Sequence, residues 1–176
     1  MNARICGRSS CLLFIYLVLF YSCASPIVSS PLDLEDVVPS AWSVTKGSLS
    51  ISSYHYKLGK QCLQWDWVAG DVLVINKPNV SAEDVCDYGK HTLLAWVYDE
   101  SSPLSKLTFE FLDSSSTVQF SFKFGLGYKG WRQAIRSYRY DMIGSCSPPP
   151  VQSFDSIHIR APSSGQGTIC LDSIEW

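Results

Sequence analysis

The sequence predicts an all-β protein, a two-sheet jelly-roll sandwich, and three observations lead there. Apolar residues make up 46% of the 176 residues and charged residues 17%, enough apolar surface for a core and too few charges for a disordered tail. Six Trp, nine Tyr and eight Phe are spread among Ser-rich segments broken by eleven Gly and nine Pro, the habit of short strands and not of a helix bundle. About ten strand-sized runs follow one another closely. An open sheet would leave one aromatic-rich face in water, so two sheets are expected to cover each other.

Taken in order, the chain opens on a secretory signal. Arg4 and Arg8 precede the uncharged run Leu12 to Phe20, and the small residues Ser22, Cys23 and Ala24 follow. Cleavage is expected after Ala24, giving a signal over 1–24 and one domain over 25–176. The run is short for a membrane span of ~20 residues, so no membrane association is expected after cleavage and the product is expected to be secreted. Strands are expected at Ser48 to Ser53, Gln61 to Trp67, Asp71 to Ile75 and Thr92 to Tyr98, each bounded by Gly, Pro, Asn or Ser. Leu107, Phe109 and Phe111 alternate with polar residues, and Val118, Phe120, Phe122 and Phe124 alternate with Gln119, Ser121 and Lys123, the period of a strand with one buried face. Beyond the Ser-Pro-Pro-Pro loop at 147–150, Ile157 and Ile159 form another strand, and Ile169 to Trp176 a last one. No segment has a helical period.

Charge excludes a nucleic-acid partner. The whole chain has 14 basic against 16 acidic residues, and without Arg4 and Arg8 the net charge is −4. Of seven cysteines, Cys62, Cys86, Cys146 and Cys170 remain beyond the signal, which in an oxidising compartment allows up to two disulfides in three connectivities. No C-x-x-C occurs and the three histidines, His55, His91 and His158, lie far from any cysteine in sequence, so a zinc site is not expected. Asn79-Val80-Ser81 is an acceptor sequon for a glycan.

Several strings in order, Leu34-Glu35-Asp36 with Pro39, Gly59 to Trp67, Leu94 to Glu100, Gly130-Trp131-Arg132, Asp155 to Pro162 and Leu171 to Ile174, resemble the amino-terminal domain of the chondroitin sulfate ABC lyases of polysaccharide lyase family eight. The resemblance implies a galactose-binding-like jelly roll of the carbohydrate-binding-module type. In that family β-elimination is carried by His, Tyr, Arg and Glu of a following helical toroid. Proton abstraction beside a uronate needs a base, a neutraliser of the carboxylate and a proton donor around one cleft; residues 25–176 offer no such set. The expected role is therefore a non-catalytic accessory domain of a secreted glycosaminoglycan lyase, in a chain without the toroid and without lyase activity. The other reading is a stand-alone secreted lectin-like or structural β-sandwich protein. Expected partners are glycosaminoglycan chains or a catalytic lyase domain.

The resemblance also implies a structural calcium or sodium ion, held by an early acidic residue, a late Asp and loop carbonyls. Matched here, those are Glu35, Asp172 and carbonyls around Leu58 and Gln61, with Asp33 as a further donor through its own carbonyl. Asp172 shares strand parity with Cys170 and Ile174 and is expected to point inward. For a glycan, the most basic and aromatic stretch runs from Tyr128 to Tyr140 and offers Lys129, Arg136, Arg139 and Tyr138 to sulfates, carboxylates and sugar faces. Trp131 and Arg132 read as framework, and Trp65, Trp67 and Trp96 as core.

Overall fold

The computed structural model describes residues 34, 36–78, 92–100, 105–144 and 154–175. The signal over 1–24, Asp33, Glu35, Asn79, Cys86 and Cys146 lie outside the described residues. No helix among the described residues is long and apolar enough to cross a membrane.

Eleven antiparallel strands form two sheets among the described residues. The six-stranded sheet runs β1 (Trp42–Val44), β4 (Val72–Asn76), β10 (Ser156–Arg160), β6 (Lys106–Leu112), β7 (Val118–Gly125) and β9 (Ile143–Gly144). The five-stranded sheet runs β2 (Ser48–Ser52), β3 (Cys62–Val68), β11 (Gln166–Glu175), β5 (Thr92–Asp99) and β8 (Gly130–Ser137). A single turn of helix, α1 (Tyr138–Asp141), follows β8. The predicted two-sheet sandwich is present. The last strand lies between β3 and β5, while β1 sits on the other sheet, so among the described residues the first and last strands are not neighbours.

Register explains the core. Ile157 and Ile159 of β10 stand opposite Ile75 and Leu73 on one side and Phe111 and Phe109 on the other. Phe109 and Phe111 in turn face Phe122 and Phe120 of β7, and Phe109 stacks on Phe122 at 4.5 Å. The second sheet answers with Leu63, Trp65, Trp67, Val97, Ile169 and Leu171, all buried. Alternation that puts every second side chain on one face is what closes the sandwich.

One polar knot ties the two sheets together. Asp71 is fully buried at the start of β4 and its carboxylate accepts from the Thr45 hydroxyl, the amides of Lys46, Gly47 and Val72, and the Trp65 indole at 2.8–3.0 Å. Burial pushes the Asp71 carboxyl up, but the Trp65, Thr45 and amide donors outweigh it and hold it below the ordinary aspartate value. Gly47 makes room for this arrangement: a Cβ there would stand 2.1 Å from the Asp66 carbonyl and 2.5 Å from Asp71 Oδ2.

Candidate functional site

A sheet face turned away from a core is normally wet, but part of the outer face of the five-stranded sheet is not. In the β3/β11 register Gln64 stands opposite Cys170 and Thr168 opposite Asp66, so Cys62, Gln64, Asp66, Thr168, Cys170 and Asp172 all share that outer face. Cys62, Cys170 and Asp172 are nevertheless buried. The cover is the loop over residues 53–61, which folds back across the sheet. Its Lys57 and Leu58 amides donate to Asp172 Oδ2 at 2.7 and 2.9 Å, its His55 ring stacks on Tyr98 at 3.9 Å, and the Lys57 ammonium sits 4.2 Å above the Trp96 ring. His55 Nε2 lies 3.0 Å from Glu100 Oε1, and the Tyr98 hydroxyl donates to the same carboxylate at 2.7 Å. Burial and this bond push the Tyr98 phenol up to about 12.

Beside this lid runs a strip of half-exposed aromatics. Tyr98 stands opposite Trp131, and Trp96 opposite Gln133, across β5 and β8; the Tyr98 and Trp131 rings meet edge-on at 5.4 Å. Tyr54 and Tyr56 of the lid project beside it, 80% and 49% exposed. On the other side Asp66 gathers Gln64 and Thr168 at 2.6–3.2 Å, bordering a shallow groove along Val68, Gln166 and Gly167. The face therefore offers flat apolar rings, hydrogen-bonding polar groups and one ammonium over an indole, a set suited to a sugar's apolar and hydroxylated faces.

The structure rearranges the predicted glycan strip. Tyr138 is fully buried, packed against Phe111, Phe120 and Phe154, because the chain turns inward from β8 into α1; it cannot touch a ligand. Arg136 lies on the core side of the β8 edge, its guanidinium donating to the Ile135 carbonyl at 2.6 Å and resting 5.7 Å from the Phe122 ring centre. Lys129 is exposed, and the Arg139 side chain lies outside the described ones. Arg132 stacks on Tyr128 at 4.5 Å. Trp131 and Trp96, read as framework and core, instead stand half-exposed on the outer face; Trp65 and Trp67 are in the core as expected.

Asp172 also departs from its expected place. Ser173 has φ of 48° and the β11/β5 register shifts there, a bulge that breaks parity: Ile174 joins the core while Asp172 and Cys170 face outward beneath the lid. At Asp172 Oδ2 the described residues present N–H donors, and Leu58 offers its amide there. The expected calcium or sodium ligands Asp33 and Glu35 lie outside the described residues, so the structure describes Asp172 only in its contacts with the loop. Asp172 fastens the lid. Asp172→Ala is expected to cost about 1–3 kcal/mol, the penalty for stranding partly buried amides, with faster hydrogen exchange at Lys57 and Leu58 as the accompanying signal. Cys62 and Cys170 are free thiols in the structure, not members of a formed disulfide.

Comparison with known proteins places these features in context. The family model described as "Lyase, N terminal" matches residues 30–176. A chondroitin sulfate ABC exolyase of Bacteroides thetaiotaomicron is 31% identical over 144 residues, 80% of this chain and 14% of that protein; its counterpart in Proteus vulgaris is 31% identical over 126 residues, 72% of this chain and 12% of that protein. The chain thus spans about one seventh or less of the length of these relatives. Among solved structures, a family 11 carbohydrate-binding module of a Clostridium thermocellum cellulosomal cellulase has a TM-score of 0.53 at 15% identity, covering 82% of this chain and 91% of that one. An exo-β-agarase has a TM-score of 0.63 at 14% identity, covering 84% of this chain and 25% of the enzyme.

Proposed function

The chain belongs to the family of lyase N-terminal domains, and from that premise we propose that it is a non-catalytic carbohydrate-binding domain of a secreted chondroitin sulfate lyase, reading its glycan on the outer face of the five-stranded sheet. The observation that carries this reading is the half-exposed Trp131 ring on the outer face, with the exposed Tyr54 and Tyr56 of the lid and, beside them, Tyr98 and Trp96 capped by His55 and Lys57. Sugar rings stack their C–H faces on such surfaces, and Lys57 with Lys129 supplies cations for sulfate and carboxylate groups. The similarity to chondroitin sulfate lyases supports the same choice of ligand.

The absence of catalysis is supported by separation. His55 lies on the outer face of the five-stranded sheet and His158 on the outer face of the other, opposite Glu110 and Val74, so these two possible bases do not share a cleft. Burial and the neighbouring Arg160 cation hold the His158 imidazole below its ordinary value.

Titration with chondroitin sulfate tests the reading. Binding is expected to be micromolar or weaker and to fall steeply with salt, because the exposed cations are screened beyond ~8 Å at physiological ionic strength and the acidic domain repels a polyanion. Trp131→Ala is expected to weaken binding about tenfold at both low and physiological salt, the loss of roughly 1.4 kcal/mol of stacking. Lys57→Ala/Lys129→Ala is expected to flatten the salt dependence. Equal affinity of Trp131→Ala and the parent, or no binding at low salt, would refute the sugar-binding face. Release of unsaturated uronate by the chain would refute the non-catalytic role.

A further inference from the structure

We propose that Cys62 and Cys170 are a redox pair, two thiols that oxidise to one disulfide joining β3 to β11 beneath the 53–61 loop. Three observations point there. The two residues lie on the same face of adjacent antiparallel strands, Cys170 opposite Gln64 and two residues from the Cys62 partner position, so their side chains are diagonal neighbours. The two thiols lie close enough to perturb each other's proton affinity. Both are buried, although they project from the face of the sheet that points away from the core.

The pair is electronically asymmetric. The interaction between the two thiols pushes Cys62 up, with burial adding to the effect, and the same interaction lowers Cys170. Cys170 is thus the attacking thiolate and Cys62 the resolving thiol. In exchange with a small-molecule disulfide such as oxidised glutathione, the Cys170 thiolate attacks one sulfur and expels one glutathione thiolate. Cys62 then gives up its proton and attacks Cys170 in the mixed disulfide, expelling the second. One protein disulfide forms, one external disulfide becomes two thiols, and the two thiol protons pass to the glutathione leaving groups. The lid sets the rate: with both sulfurs covered, exchange requires the His55 stack and the Asp172 anchor to open.

The test is peptide mapping of the full chain after equilibration with oxidised and reduced glutathione, with acid quenching and alkylation under denaturing conditions. The expected result is a linked Cys62/Cys170 peptide pair, reversed by reductant, and a Tm of the oxidised form higher by on the order of 5–15 °C. His55→Ala is expected to speed formation of the link severalfold while leaving the same pair joined. The proposal is overturned if both thiols remain alkylatable in excess oxidant, if either is joined instead to Cys86 or Cys146, or if only mixed glutathione disulfides accumulate. An unchanged rate in His55→Ala overturns control by the lid. The mapping needs no cysteine variant, so a folding defect cannot mask the outcome.

Discussion

Asp71→Ala is expected to lower the unfolding free energy by about 3–5 kcal/mol, on the scale of breaking a buried charged hydrogen-bond network. The substitution removes the acceptor shared by Thr45, Lys46, Gly47, Val72 and Trp65, and it strands the two buried donors among them, the Trp65 indole and the Val72 amide. For a domain of this size the shift in Tm is expected to be roughly 10 °C or more. Asp71→Asn keeps one oxygen acceptor but turns an amide toward donors, so an intermediate loss is expected. The same carboxylate predicts an acid limb. Its folded value lies below its ordinary 3.8, so its contribution is complete above that value and is lost as pH falls through the lower folded value. Chemical unfolding from pH 6 to pH 2 should therefore show a decline in stability at acid pH that is smaller in Asp71→Asn; equal declines would remove Asp71 as its source.

Gly47→Ala is expected to be nearly as damaging, by about 3 kcal/mol, through overpacking. The obstructing atom nearest the new methyl is the Asp66 backbone carbonyl at 2.1 Å, which belongs to a strand paired on both sides by β2 and β11 and cannot yield cheaply. Combining Gly47→Ala with Asp71→Ala should cost less than the sum of the two. The second change deletes the other atom in the way, Asp71 Oδ2, and the two residues share a hydrogen bond. Strict additivity in a double-mutant cycle would show that the methyl is accommodated by some other movement.

Strands with an apolar face turned to the core were legible in the sequence, β6 and β7 best of all, because burial on one side and water on the other enforces period two. β8 was hidden for the opposite reason. At a sheet edge its core-side positions include Arg132 and Arg136, whose guanidinium groups rest over Tyr128 and Phe122, while Trp131 and Ile135 face outward; the apolar pattern is inverted and read as an exposed basic strip. Asp172 was misdirected because one left-handed residue, Ser173, resets the parity of all that follows. The lid carries no periodic signal at all. Its Tyr54-His55-Tyr56 run looks like ordinary loop chemistry until the fold sets His55 on Tyr98. Asp71 reads in the sequence only as the first residue of a strand; its burial reveals it as a knot.

The strands that end the six-stranded sheet are three and two residues long, β1 and β9. Unpaired backbone at a sheet border is a template on which another chain can add a strand, and the template's reach grows with its length. Here each border is a stub, so an incoming strand would find few hydrogen-bond sites before the ladder ends. The flat Phe-rich layer behind those stubs is the sort of surface that would reward runaway stacking if the ladder continued. In the six-stranded sheet, growth is thus checked at both ends by borders too short to template a long added strand.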